Sequence, residues 1–353
     1  MDGFPLIKIF VFEYLTGGGI DPDVAGAGSL ADLSALIVEG RVMRDAIAAD
    51  LRALPGVAIT VASSRFEQRD GAFTYAQAGE PVTRFVARMA REHDYACIIA
   101  PECDGLLLRL HDAVGASRWL GCAKETIRAA SSKSATAARL ASHGIAATAA
   151  LDPDDARADA SRRWVVKPDD GAGGLDTYVF DDLDAARAEY AARAEAGRSP
   201  VLQAWIDGEA LSLSLMCGDH GARLVSINRQ RIGMSDADDD DAPRERIVQF
   251  DGVDVDCIDR HGPQGRALER LALRVAQAFD GLRGFVGIDV VWHPQQGPVV
   301  IEVNPRLTVA YAELSKQGRG ELAAELLAAH RVPGFGDDDA GPCARAGHRH
   351  ERI

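Results

Sequence analysis

The feature that most restricts the fold of this chain is a rhythm in its first third, where short apolar runs alternate with helix-length segments. IKIFVFEYL starts at Ile7, VAITVAS at Val57 and YACIIAPE at Tyr95, with helical patterns over residues 30–54 and in PVTRFVARMAREH between them. Strands separated by helices pair in parallel, because a parallel connection needs a crossover, and apolar runs without alternation are buried on both faces. The chain therefore opens with βα units around a parallel sheet.

The first strand runs into three glycines, Gly17, Gly18 and Gly19. A dinucleotide loop would read GxGxxG, open a helix, and be answered about 20 residues later by an acidic residue closing the next strand. The sequence has TGGGIDPD instead, with Pro22 and two aspartates where that helix should start and Glu39 inside a helical pattern. An oxidoreductase of that type is not indicated.

Composition narrows the class further. A net charge of −14 argues against nucleic acid, so an anionic ligand must be met by locally clustered Lys, Arg and backbone N–H groups. No apolar run approaches the roughly 18 residues of a membrane helix. The N-terminus has Asp2 and is apolar only from Phe4 to Phe12, without a basic flank, and reads as a buried strand rather than a signal peptide. A cytoplasmic protein is expected. Six cysteines, at 97, 103, 122, 217, 257 and 343, form no CxxC pair, which favours reduced thiols over a zinc site or disulfides.

After a helix-rich connector ending at Gly144, the pattern changes. WVVKP, the loop DDGAGGLD, TYVF, a helix over residues 184–196 and PVLQAWI make a small α+β unit. Longer strands follow, ALSLSLMCG, ARLVSINRQRI and ERIVQFDGV, then a helix over 265–279 and the pair GFVGIDVVWH and PVVIEVNPR, together an antiparallel sheet with a covering helix. The aspartate-rich run at 235–243 reads as a solvated loop, and residues 333–353, with His348 and His350, as a disordered tail.

The strongest chemical constellation is the last strand pair. If residues 294–297 form a hairpin loop, His293 faces Pro298 and Asp289 faces Glu302. Like charges directly opposed destabilise a sheet, so something should compensate them. Asn304, two residues beyond Glu302, shares its face. Asp, Glu and Asn are the hard oxygen donors that magnesium takes alongside substrate phosphates. Upstream, Lys167 ends a buried strand before Gly171, Gly173 and Gly174, whose N–H groups suit phosphate. A charge presented from an apolar strand needs an anionic partner. Between these lie the apolar segment Gln203, Ala204, Trp205 and Ile206, suited to an adenine edge, and Glu209, suited to ribose hydroxyls.

In order and spacing, Lys133, Lys167-Pro168, the glycine loop, Gln203–Ile206, Glu209 and the Asp289, Glu302, Asn304 set resemble the ATP-grasp ligases over residues 95–330. FVFEYLTGGG, IAPECDG and SINRQRI are similar to the tyramine glutamate ligase branch, which serves methanofuran-type cofactor biosynthesis. The aspartate-rich run is a departure from that pattern.

The resemblance implies an α/β and α+β chain: a pre-ATP-grasp domain at 1–122, a small lid subdomain at 123–202, a large metal-bearing subdomain at 203–332 and the tail. It implies ATP and magnesium, two ions by the family pattern, with manganese as an alternative. An acyl phosphate of a small carboxylate, glutamate by the branch, is then attacked by tyramine or a related amine. Lys133 and Lys167 clamp the triphosphate, and Arg306, assisted by Arg231, holds the transferred phosphate. Thr308 serves the acid or caps a helix. Tyr14, Thr16, Gly17 and Gly18 face a substrate or form only a turn. Another small-peptide ligase and a silent nucleotide-binding module are the rival readings. No nucleic acid or membrane partner is expected, and a homodimer is one assembly the sequence leaves open.

Overall fold

A computed structural model describes residues 6–19, 34–64, 67, 73–154, 163–171, 173–236 and 245–335. The expected parallel sheet is present. β1 (Ile7–Glu13), β2 (Val57–Ala62), β3 (Phe73–Thr74) and β4 (Tyr95–Ile99) lie in the order β3-β2-β1-β4, all parallel. Its two-sided burial follows from β1 itself: Ile9 and Val11 enter one core, Phe10 and Phe12 the other. Helix α1 (Ser34–Ala53) covers the Ile9 face with Met43, Ile47 and Leu51. On the Phe10 face, α2 (Val82–Arg91) and α3 (Leu106–Val114) contribute Phe85, Met89, Leu107 and Leu110.

The connector is helical, as α4 (Lys124–Ala130) and α5 (Lys133–Ser142). Beyond it the strands are β5 (Trp164–Pro168), β6 (Tyr178–Phe180), β7 (Pro200–Ala204), β8 (Glu209–Gly218), β9 (Gly221–Asp236), β10 (Glu245–Asp254), β11 (Gly284–His293) and β12 (Gly297–Asn304). They form one antiparallel sheet in the order β12-β11-β8-β9-β10-β6-β5-β7. The sequence reading treats the small α+β unit and the long strands separately. In the structure β10 joins them by pairing Glu245–Ile247 with Tyr178–Phe180.

The small unit still keeps its own core. Under α6 (Leu183–Glu195) lie Trp164, Val166, Phe180, Leu183, Ala186 and Leu202, separate from the two main clusters. A region with few buried apolar contacts and a narrow strand junction is the part of a fold that moves most readily. By contrast, α7 (Pro263–Ala278), α8 (Val309–Lys316) and α9 (Glu321–Ala329) are built into the main cores through Leu268, Val275, Tyr311, Leu314 and Leu327. The Tyr311 hydroxyl donates to Asp50 Oδ2 at 2.8 Å and Ser315 Oγ to Asp50 Oδ1 at 2.9 Å, so α8 is pinned to α1.

None of the five described cysteines forms a disulfide. No described helix is long and apolar enough to cross a membrane. Cys343, His348, His350, the tail from residue 336 and residues 237–243 of the aspartate-rich run lie outside the described residues.

Candidate active site

Asp289 does face Glu302, but not by the register the sequence suggests. His293 pairs with Gly297 and Trp292 with Pro298, one residue out of the expected step. A β-bulge between Asp289 and Val290 then absorbs Ile301 and brings the carboxylates opposite each other. A bulge re-aims side chains and is common beside active sites. Here it is what creates the pair.

The pair sits in a web of donors. Gln230 Nε2 donates to Asp289 Oδ1 at 3.0 Å, and Asn304 Nδ2 donates to Asp289 Oδ2 at 3.1 Å. Lys133 Nζ lies 3.7 Å from Glu302 Oε2. Burial would raise the Glu302 pKa, but Lys133 and then Lys167 outweigh it and hold it below its ordinary value. Asp289 is pushed well up, first by burial and then by the Glu302 charge. One carboxylate of the two is thus left short of cations.

That shortage fits a divalent ion. No cluster of three or more His, Cys, Asp and Glu exists among the described residues. The oxygens that line the cleft at the hairpin are those of Asp289, Glu302 and the Asn304 amide, all hard donors. Magnesium is characteristically held by one or two carboxylates together with substrate phosphates.

The two lysines reach the site from different elements. Lys167 ends β5, buried, its pKa lowered to about 8 by burial and by Lys133, against the pull of Glu302 and Asp289. Lys133 opens α5 and donates Nζ to the Gly171 carbonyl at 3.0 Å. Asp169 holds the two segments together: Ser132 Oγ donates to its Oδ2 at 2.6 Å and Ser134 N to its Oδ1 at 2.8 Å. In the same loop Gly173 and Gly174 take φ of +69° and +71°, a conformation that favours glycine.

These groups line one cleft of about 840 Å³ between the two sheets. That volume suits a small-molecule site. Gly171, Gly173, Gly174, Gln203, Ala204, Trp205 and Ile206 line it as well. Gln203 is anchored by donating Nε2 to the Thr148 carbonyl at 2.9 Å, and Trp205 N bonds the Arg163 carbonyl. Arg306, Thr308 and Tyr14 are also on the cleft wall. Thr308 is the N-cap residue of α8 but makes no side-chain capping bond.

Arg306 is clamped by a residue the sequence reading did not assign. Glu102, beyond the C-terminal end of β4, accepts from Arg306 Nε at 2.9 Å and Nη2 at 3.1 Å. Burial opposes the guanidinium charge, but Glu102 outweighs it and raises the Arg306 pKa. This planar, bidentate pair joins the parallel sheet to the hairpin. Position alone signalled Glu102, since crevices outside the carboxyl ends of parallel strands bind ligands.

Five sequence-derived candidates are not on the wall. Glu209 turns away: with the core residue Leu211 it occupies the β8 face opposite Ala210, Ser212 and Ser214, and pairs with Arg229 and Gln264. Asp207 is the carboxylate that lines the cleft beside the apolar segment. Arg231 turns away for the same period-two reason. Gln230, Ile232 and Met234 face the cleft, whereas Arg231 pairs with Asp254 on the other side of β9.

Thr16, Gly17 and Gly18 belong to a turn that closes on itself. Glu13 accepts from Thr16 N at 2.8 Å, Thr16 Oγ1 at 2.7 Å and Leu15 N at 3.1 Å. Gly17 N bonds the Glu13 carbonyl at 2.7 Å, and a Cβ on Gly17 would stand 2.4 Å from that oxygen. Glycine is required here for packing.

Sequence families agree with this architecture. The ATP-grasp domain family matches residues 130–310, more than half of the chain, and the pre ATP-grasp 3 domain family matches residues 57–127. The chain belongs to the ATP-grasp family. It is similar to the tyramine–L-glutamate ligase of Methanocaldococcus jannaschii, 29% identical over 217 residues, 61% of this chain. The match spans 56% of that relative's own length.

An ATP-grasp superfamily protein from Archaeoglobus fulgidus superposes with a TM-score of 0.66 at 22% identity, covering 91% of this chain and 87% of that one. The D-alanine–D-alanine ligase of Bacillus anthracis complexed with ATP gives 0.60 at 14% identity, covering 92% and 97%. These likenesses carry the fold.

Proposed function

We propose that this chain is an ATP-dependent carboxylate–amine ligase that joins glutamate to tyramine or a related aromatic amine, releasing ADP and phosphate. The observation that carries the reading is the bulged hairpin, where two half-buried carboxylates oppose each other beside Lys133, Lys167 and Arg306 in one cleft. The similarity to a tyramine–L-glutamate ligase supports the substrates, and the ATP-bound structural relative supports the nucleotide. On the same reading, residues 1–122 form the pre-ATP-grasp domain, 123–202 the lid and 203–332 the metal-bearing subdomain. The protein acts in the cytoplasm, in methanofuran-type cofactor synthesis.

The chain's own task is electrostatic. Lys133 and Lys167 clamp the triphosphate together with the N–H groups of the glycine loop, and the segment Gln203–Ile206 holds the adenine. Asp289, Glu302 and Asn304 would hold magnesium, two ions by the family pattern, with manganese as a substitute, and the metal would supply charge neutralisation on the phosphates. A carboxylate oxygen of the acid attacks the γ-phosphorus, its bond to the ADP oxygen breaks, and an acyl phosphate forms. Arg306, fixed by Glu102, stabilises the moving phosphoryl group. The amine nitrogen then attacks the acyl carbon, phosphate leaves, and the nitrogen gives up a proton.

Phosphate release with ATP, magnesium, glutamate and a panel of amines tests this. Release should require both the acid and the amine and yield ADP. Formation of AMP, or ATP consumption indifferent to both substrates, would sink the ligase reading, and failure of glutamate with every amine would remove the narrower one.

A further inference from the structure

Five acidic residues line the cleft: Glu13, Glu39, Asp207, Asp289 and Glu302. Four are already engaged. Glu13 is held by its own turn, Asp207 by Arg163 and Trp205 Nε1, Asp289 by Gln230 and Asn304, and Glu302 by Lys133. Glu39, in the middle of α1, has no hydrogen-bond or ion-pair partner among the described residues. Burial pushes its pKa up to about 7, and the cation whose field reaches it, Arg306, is committed to Glu102.

Its surroundings are apolar. On α1, Leu36 and Met43 stand three residues before and four after Glu39 and line the cleft on the same helical stripe. Leu15, Ile99 and Val309 complete that wall. Gly40 lets the helix approach the end of β1, since a Cβ there would lie 2.6 Å from the Glu13 carboxylate. Leu36 also touches the phosphate loop: a Cβ on Gly173 would come within 2.9 Å of its Cδ2. An unpaired carboxylate on a mainly apolar wall, with the Glu13 carboxylate behind it already held by its own turn, is complementary to a cation carried on an apolar body.

Resting on the ligase reading, we propose that the α1 wall is the acceptor-amine subsite: Glu39 receives the ammonium and takes the proton that the nitrogen must lose before it attacks, and Leu36, Met43, Leu15 and Ile99 enclose the apolar or aromatic body. The subsite selects a primary amine with an apolar body over a small polar one. It also places the nitrogen on the same side of the cleft as Arg306, where the acyl phosphate is held.

The test separates this inference from the reading beneath it. Wild-type protein with ATP, magnesium, glutamate and hydroxylamine should trap the acyl phosphate as a hydroxamate; no hydroxamate with any acid means that the ligase reading fails. Independently, Glu39→Gln should raise KM for tyramine at least tenfold relative to KM for ATP, with Glu39→Asp recovering part of the loss. Calorimetric titration of tyramine into wild type and Glu39→Gln reads the same difference without turnover. An unchanged tyramine affinity in Glu39→Gln, or a rise in KM for glutamate instead, overturns the proposal.

Discussion

Two loop regions at strand ends meet the same cleft and handle polar groups in opposite ways. After β1, the turn carrying the glycines satisfies itself: Glu13 accepts three hydrogen bonds from residues within three positions of it. At the β11–β12 hairpin, Asp289 and Glu302 are opposed: Lys133 and Lys167 bring the Glu302 pKa down, whereas burial and the Glu302 charge outweigh Arg306 and leave that of Asp289 raised. The glycine motif is thus the self-contained region, and the hairpin is the one left with unbalanced charge. Unbalanced charge, rather than unusual composition, marks where the chemistry belongs.

The largest expected effect lies at the hairpin. Glu302→Gln removes a charge aimed at the metal and the lysines, and turnover should fall by about a thousandfold or more, as for loss of a preorganised electrostatic group. Its thermal midpoint should fall modestly, because Lys133 and Lys167 hold the Glu302 pKa below its ordinary value, so the amide gives up more attraction to the two lysines than repulsion from Asp289. Steady-state rates with a melting curve on one preparation check both halves. Retained turnover would remove the metal assignment and with it the contrast between the two regions.

How much of this was legible depends on the range of the interaction. The parallel sheet was readable because burial of β1 on both faces leaves a continuous apolar run. The facing carboxylates were also readable, although through a register one residue wrong. The bulge at Ile301 is a backbone event with no side-chain signature, and it corrected the step.

Glu209 and Arg231 failed for a plainer reason. Their spacing was right, but the parity of a strand decides which face a residue meets, and β8 and β9 present Ser212 and Gln230 to the cleft instead. Glu102 was missed because its partner is distant in sequence, 204 positions away, and Glu39 because the cleft it lines is assembled from elements far apart in the chain. Strand and helix periodicity cannot report such pairs.

A smaller effect is expected in the glycine turn. Gly17→Ala puts a methyl 2.4 Å from the Glu13 carbonyl oxygen, which cannot move without breaking the strand end. The cost should be about 1–3 kcal/mol of stability, the range for overpacking a close contact. Urea midpoints should drop, while KM for ATP, glutamate and amine in the folded fraction stays near wild type. A changed KM at an unchanged midpoint would return the turn to the substrate site and erase the difference between the two regions.

The smallest effect is a pH dependence inside that same turn. Burial raises the Glu13 pKa above its ordinary 4.5, against the hydrogen bonds from Thr16 and Leu15 and the nearby charge of Arg44. The folded state therefore keeps a proton that the unfolded chain has already lost. The stability this confers is fully present below pH 4.5 and is lost as pH rises through the folded-state value. Glu13→Gln cannot titrate, so it should gain on wild type as pH rises from 4 to 7, even though the amide replaces an acceptor with a donor near Leu15 N and lowers stability throughout. Urea midpoints of both proteins across that range measure the gap. Parallel curves would mean that the turn holds Glu13 ionised at little cost, and that its buried carboxylate is better compensated than the hydrogen bonds and Arg44 account for.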